Sequence, residues 1–198
     1  MRRRLPALIC CIAATAASVH YLDHPLADFF AARVAHTAVG WWLNRLLGLL
    51  VFFPVAALMT LFAGGCWMMS GRKLAPWTRP FLACAWSAIW ALAAEFAFKQ
   101  VFARLPAGGP HAGHFPSGTA TISAAAATTI WLVVPRWRMP GLVVAAFASI
   151  AVVATNGHWL SDVIAGAFLG WSIGWMTVLL LNPVPRASGR DDADANAR

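Results

Sequence analysis

Long apolar segments dominate this chain and narrow the folds open to it. A helix needs about twenty predominantly apolar residues to cross the hydrocarbon core of a bilayer, and windows of that kind recur along the sequence. They lie at residues 5–21, 41–69, 81–102, 119–134, 142–155 and 163–181. The sequence therefore predicts an all-α fold, a six-helix transmembrane bundle formed by a single domain at residues 1–182. We expect the fourth and fifth segments, which are short and rich in small residues, to lie inside the bundle.

The amino-acid composition also indicates that a lipid bilayer surrounds most of the protein surface. Of the 198 residues, 60% are hydrophobic and 11% are charged, whereas about a quarter of the residues of an ordinary soluble domain are charged. The first segment follows three arginines, as a secretory signal does, but more apolar segments come after it, so we interpret it as a retained anchor. The polar tail at residues 183–198 is expected to be disordered.

The connection after the first segment carries a second prediction. Asp23-His24-Pro25 predicts a turn of the chain. Beyond it, apolar residues recur at helical spacing and predict a short interfacial helix; they are Leu26, Phe29, Phe30 and Val34.

The distribution of basic residues predicts the orientation. A net charge of +8 could indicate a nucleic-acid partner, but the basic residues lie in short loops at the ends of apolar segments and form no stripe. Eleven of the 15 Lys and Arg residues fall on one side of the six-helix arrangement. By the positive-inside rule that side is cytoplasmic, so both termini face the cytoplasm, and the polar loops described next face the periplasm or exterior.

Two cations mark the end of the third segment. Lys99 follows Glu95 by four residues, so the two side chains should pair one helical turn apart. On its own, this pair is equally consistent with a closed helix end from which Lys99 extends toward water. Arg104 at the same entrance shifts the balance toward anion binding.

Ser117 and Gly118 open the fourth segment. Ser117 is well placed as an N-cap, and the amides that follow it, together with the helix dipole, can seat a phosphate. Capping without a ligand explains most Ser-Gly helix starts. The Gly-rich loop at residues 108–114 makes this one more specific, because glycine permits close approach of the backbone to a ligand.

His158 and Asp162 stand four residues apart at the start of the sixth segment. On a helix they would share a face, so the carboxylate could hold one imidazole nitrogen while the other is directed at a substrate. A lone interfacial histidine beside Trp159 would usually be structural. Its combination with the phosphate-binding motif predicted earlier in the chain is what favours a catalytic role.

In this order the motifs resemble a known family. Lys-x-x-x-x-Arg ends the third segment, Phe-Pro-Ser-Gly opens the fourth, and His-x-x-x-Asp-Val-Ile-Ala-Gly opens the sixth. The pattern resembles the type 2 phosphatidic acid phosphatase superfamily of integral membrane lipid phosphatases, over about residues 20 to 182. The motifs are weak singly and fairly specific together.

The resemblance implies a mechanism without a metal or other cofactor. His158 would attack the phosphorus to give a phosphohistidine, with Asp162 orienting and charging the ring. The phosphoryl oxygens would be held by Lys99, Arg104, Ser117 and the amide of Gly118, because fixed cations and amides stabilise the charge spread over those oxygens.

Three positions depart from the family pattern. Thr119 stands where the family has the histidine that protonates the leaving group, Arg104 comes earlier than the family's Arg-Pro, and Ala151-Val152 replaces its Ser-Arg. A general acid contributes about 10²–10⁴-fold to the rate, so its loss favours a diphosphate lipid over a monoester as the substrate, because a phosphate is a better leaving group than an alkoxide. Two loop histidines could supply the proton instead, although both can also be plain polar loop residues, and together they are too few for a metal site; they are His111 and His114.

The sequence thus predicts a lipid phosphatase or phosphotransferase that acts at the periplasmic face. Its substrate would be a lipid phosphate or pyrophosphate of the polyprenyl pyrophosphate, phosphatidylglycerophosphate or lipid A type. The protein would lie in the bilayer, and nucleic acid is not expected as a partner. The alternative is a catalytically degenerate member that binds lipid headgroups or scaffolds an envelope enzyme. A small transporter is disfavoured because the sequence shows neither a repeat nor a pair of broken helices. The oligomeric state stays open.

Overall fold

A computed structural model describes residues 4–50, 52–102 and 115–181. Within these ranges the chain forms eight α-helices, which we number in chain order. They are α1 (Arg4–Ala17), α2 (Asp23–Phe30), α3 (Ala38–Leu49), α4 (Phe52–Met69), α5 (Arg79–Phe102), α6 (Gly118–Val133), α7 (Arg138–Ala154) and α8 (Leu160–Leu181).

The turn predicted at Asp23 is wrong, because the backbone stays helical there. A π-helical segment, Ser18–Leu22, joins α1 to α2, and the amide of Asp23 donates to the carbonyl of Ser18. This wider turn shifts the hydrogen-bond register before Pro25, whose ring clashes with the preceding turn of a regular helix. A second π-helical segment, Ala31–Ala35, continues α2. The predicted interfacial helix is therefore a continuation of the first span, and its position at an interface stays a prediction.

The second predicted segment is divided between two helices with different partners. Thr37 caps α3, its hydroxyl oxygen accepting the amide of Gly40 at 3.3 Å, and α3 ends at Leu49. The main packing partner of α3 is α7, whereas α4 packs against α5. With these two helices, one apolar stretch covers two sides of the bundle.

The centre of the bundle is α6, as the small residues of the fourth segment predict. It packs against α5, α7 and α8, and its buried residues are small ones such as Ala120, Thr121 and Ala125. The same prediction holds for only one face of α7, because Val143, Val144, Phe147 and Ile150 are exposed. Small side chains thus bury much of α6, whose Trp131 is exposed near the helix end, while α7 keeps a broad apolar face outward.

The outer surface of the bundle is strongly apolar. Large side chains such as Phe62 at 75% and Val101 at 66% exposure face outward, and an exposed apolar surface of this extent indicates contact with a membrane. Five helical stretches are long and apolar enough to cross one, and α6 is a shorter apolar helix of 16 residues. The described part of the chain therefore has five or six candidate spans, and the count of six stays a prediction.

Glycines set the closest helix contact, between α6 and α8. A Cβ atom built at Gly166 would lie 2.6 Å from the Ser117 carbonyl oxygen, and one at Gly170 would lie 2.9 Å from the Ala125 amide nitrogen. Since real Cβ contacts essentially never fall below 3.0 Å, only glycine permits this separation. The absence of a side chain at Gly166 and at Gly170 thus lets α8 lie directly against the first half of α6.

Candidate functional site

A tight connection between α7 and α8 presents His158. Asn156 adopts a left-handed conformation with φ of 56°, which asparagine tolerates better than most residues. Its amide donates to the Val153 carbonyl at 2.9 Å, and the amide of Gly157 donates to the Val152 carbonyl at 3.0 Å. These bonds close the end of α7, so that His158 lies immediately before α8 and not within it.

Asp162 holds this connection from the first turn of α8. Its Oδ2 lies 3.3 Å from Nδ1 of His158 and accepts the backbone amide of Trp159 at 3.2 Å. The side chain of His158 is 12% exposed and that of Asp162 is 6% exposed. The predicted pairing of imidazole and carboxylate is therefore present, although through an N-terminal capping arrangement and not through two positions on one helical face.

The start of α6 is bonded directly to the start of α8. The backbone amide of Ser117 donates to the carbonyl oxygen of Asp162 at 3.1 Å. Ser117 is the N-cap of α6, with its hydroxyl oxygen accepting the amide of Ala120 at 3.5 Å. Thr121 returns a hydroxyl to the Ser117 carbonyl at 2.7 Å. Two sequence elements more than forty residues apart thus meet within one hydrogen-bonded unit.

Ser117 itself is fully buried. What the structure shows for its side chain is the capping role, and the predicted contact with a phosphoryl oxygen stays a prediction. Gly118 is also buried. The amide of Ala120 is already paired with the Ser117 hydroxyl, and a phosphate seat at the start of α6 stays a prediction.

The end of α5 joins the same group. Lys99 forms an ion pair with Glu95 at 2.5 Å, and Glu95 is buried whereas the Lys99 side chain is 31% exposed. A Cβ atom at Gly118 would collide with the Glu95 carboxylate, so this carboxylate rests against the start of α6. The rings of Phe102 and Phe115 also meet, with their centroids 4.8 Å apart. The ion pair of Lys99 and Glu95 therefore lies beside the start of α6.

Sequence reasoning missed a buried carboxylate that belongs to this region. Asp23 accepts the amide of Ser161 at 3.0 Å, the hydroxyl of Ser161 at 2.5 Å and the hydroxyl of Ser18 at 2.9 Å. A carboxylate at a helix start satisfies amides without helical partners and stabilises the positive end of the dipole. No spacing in the sequence relates Asp23 to a serine 138 residues later, so only the fold reveals the contact.

Some predicted residues lie outside the described ranges. These are Arg104, His111, His114 and the polar tail. Thr119 is described and occupies the second position of α6, where it is half-buried. Among residues 4–50, 52–102 and 115–181, no three His, Cys, Asp or Glu side chains are grouped closely enough to hold a metal ion, and chemistry without a metal stays a prediction.

Fold and site together define a class: helical proteins with several spans apolar enough for a membrane and a polar site where two helix starts and a helix end meet. The sequence model of the PAP2 superfamily matches residues 50–185, and the chain belongs to this superfamily. The predicted resemblance is thereby confirmed.

One curated relative is similar over part of the chain. The lipid A 1-phosphatase of Porphyromonas gingivalis is 35% identical over 90 residues, which cover 41% of this chain and 20% of that protein. The chain thus matches only a small part of that relative's length. No solved structure matches the chain.

Proposed function

We propose that this protein is a lipid phosphatase or phosphotransferase that works through a phosphohistidine at His158. Membership of the PAP2 superfamily and the similarity to a lipid A 1-phosphatase support a lipid phosphate as the substrate class. The observation that carries the proposal is the bond between Ser117 and Asp162, because it holds a helix start suited to phosphate beside a histidine paired with a carboxylate.

The chemistry follows from which ring nitrogen is engaged. Nδ1 of His158 faces Asp162, so attack on phosphorus falls to Nε2. As the N–P bond forms, the bond from phosphorus to the lipid oxygen breaks, and Asp162 stabilises the positive charge that develops on the ring. Water then attacks the phosphorus, breaks the N–P bond and releases phosphate. An acceptor alcohol or phosphate in place of water would make the enzyme a transferase.

Charge on the transferred group needs fixed partners. Lys99 supplies a cation beside the start of α6, and the first-turn amides of α6 supply oriented donors. Arg104 would add a second cation, as the family motif implies. Substrates of the polyprenyl pyrophosphate, phosphatidylglycerophosphate or lipid A type fit this chemistry, and the site would face the periplasm of a bacterial inner membrane.

The test uses purified protein in detergent and a panel of lipid phosphates. We expect His158→Ala to abolish phosphate release, and an acid-labile phosphoprotein, trapped in the wild type, to be absent from the variant. His36→Ala is the matched control, since His36 is exposed and lies at the end of the π-helical segment Ala31–Ala35. Undiminished turnover by His158→Ala would end this proposal.

A second candidate is favoured by one residue. Thr119 stands where the family has a proton-donating histidine, as expected of a member that binds lipid headgroups without turnover. Lipid phosphate binding without phosphate release, and without a phosphoprotein in the wild type, would support this role over the enzyme.

A further inference from the structure

A phosphatase of this kind needs a proton donor for the lipid oxygen whose bond to phosphorus breaks. Alkoxides are poor leaving groups, and a positioned general acid contributes about 10²–10⁴-fold to such a step. The hydroxyl of Thr119 is too weak an acid for this task. If monoesters are substrates, another side chain near His158 must provide the proton.

Asp23 fixes the first turn of α2 against the catalytic connection. Its carboxylate is buried and holds both the amide and the hydroxyl of Ser161, three residues beyond His158. The hydroxyl of Ser18 restrains the same carboxylate from the preceding turn. The residues next to Asp23 therefore keep a defined place relative to the start of α8.

His24 follows Asp23 and stands against the residue next to the nucleophile. Its ring meets the ring of Trp159 edge-on, with centroids 5.0 Å apart and planes at 62°. His24 is exposed, so a substrate at the membrane surface can reach it. This contact places a second imidazole beside the segment from His158 to Asp162.

We propose that His24 is the proton donor for the leaving group. This inference rests on the proposed function. As Nε2 of His158 forms the bond to phosphorus and the bond from phosphorus to the lipid oxygen breaks, the protonated His24 ring transfers its proton to that oxygen. In the second step neutral His24 takes a proton from the attacking water while the N–P bond breaks, which restores its starting form. Histidine is the side chain that most often carries protons in this way.

The experiment compares two leaving groups in the first turnover. Dioctanoyl phosphatidic acid must expel an alkoxide, whereas p-nitrophenyl phosphate expels a stable phenolate that needs no acid. We expect His24→Gln to slow diacylglycerol release by about 10²–10⁴-fold and to leave p-nitrophenolate release near the wild-type rate. His20→Gln is the matched control, because His20 lies one turn earlier, is exposed and contacts Tyr21; it should leave both rates unchanged.

The possible outcomes distinguish a failure of His24 as proton donor from a failure of His158 as nucleophile. Equal losses on both substrates would show a structural effect of His24, and no loss on either would show that it takes no part; each overturns the inference. A selective loss of diacylglycerol release in His111→Gln or His114→Gln, with none in His24→Gln, would assign the donor to the loop instead. His158→Ala tests the function alone, since it should abolish release from both substrates whatever the donor.

Discussion

Replacing Gly166 by alanine tests whether the close approach of α6 and α8 sets the geometry of the site. The added Cβ would lie 2.6 Å from the Ser117 carbonyl oxygen, 3.0 Å from Oγ1 of Thr121 and 3.3 Å from the Ser117 amide nitrogen. Ordinary contact begins at 3.4 Å, and the nearest atom belongs to the backbone. The helix starts must therefore separate by most of an ångström, at the residue that links α6 to Asp162.

Two magnitudes follow for Gly166→Ala. Overpacking of this kind costs about 1–3 kcal/mol, and the better helix propensity of alanine offsets about 1 kcal/mol of it, so the loss of stability should be modest. A displacement of about 1 Å in a catalytic arrangement can cost about 10²-fold in rate. We therefore expect kcat to fall by about two orders of magnitude while most of the protein stays folded.

Two further glycines provide the controls. Gly170→Ala forces an even tighter backbone contact between α6 and α8 but one turn further from the site, so its stability cost should be larger and its loss of kcat in the folded protein smaller. Gly65→Ala on α4 meets nothing within 4 Å and should be neutral or slightly stabilising. Phosphate release and thermal unfolding in detergent measure both effects. Wild-type kcat in Gly166→Ala would refute the argument that this contact positions the site.

Substitutions of the charged residues around the site should change activity or stability in defined ways. Asp162→Asn keeps an acceptor for the Trp159 amide but removes the charge that stabilises the ring of the nucleophile, so kcat should fall by about 10²-fold or more in the phosphate-release assay. Lys99→Gln leaves Glu95 buried without its ion-pair partner and should lower the free energy of unfolding by about 1–3 kcal/mol; adding Glu95→Gln should recover the stability, measured by thermal unfolding, but not the activity. Asp23→Ala should destabilise the protein by about 1–3 kcal/mol, and Asp23→Asn by less, because its amide oxygen can still accept a hydrogen bond.

The sequence predicted the helical class and the local motifs because both depend on short-range patterns. Apolar length identified the spans, and four-residue spacing identified the pairs of Lys99 with Glu95 and of His158 with Asp162. Small residues also placed α6 inside correctly. These signals need no knowledge of distant contacts.

What the sequence left out depends on contacts between distant segments. The triplet Asp23-His24-Pro25 is a good turn signal. In the structure, however, the wider helical turn before Pro25 accommodates the proline ring, and the backbone stays helical. The bonds from Asp23 to Ser161 join parts of the chain that no periodicity relates. The glycines of α8 were readable as a pattern, since small residues every four positions indicate close helix packing, but their partner helix was not.

The polar groups of the site are paired with one another, and this has a consequence for binding. In surroundings as apolar as these, an unpaired charge or hydrogen-bond donor is costly. Accordingly, Lys99 forms an ion pair with Glu95, and the Ser117 amide donates a hydrogen bond to the Asp162 carbonyl. Under the proposed function, an arriving phosphate would enter a site whose donors are already held in place, with little reorganisation left to the reaction step. It would also share Lys99 with Glu95. Competition with the Glu95 carboxylate would therefore weaken the binding of phosphate in the ground state.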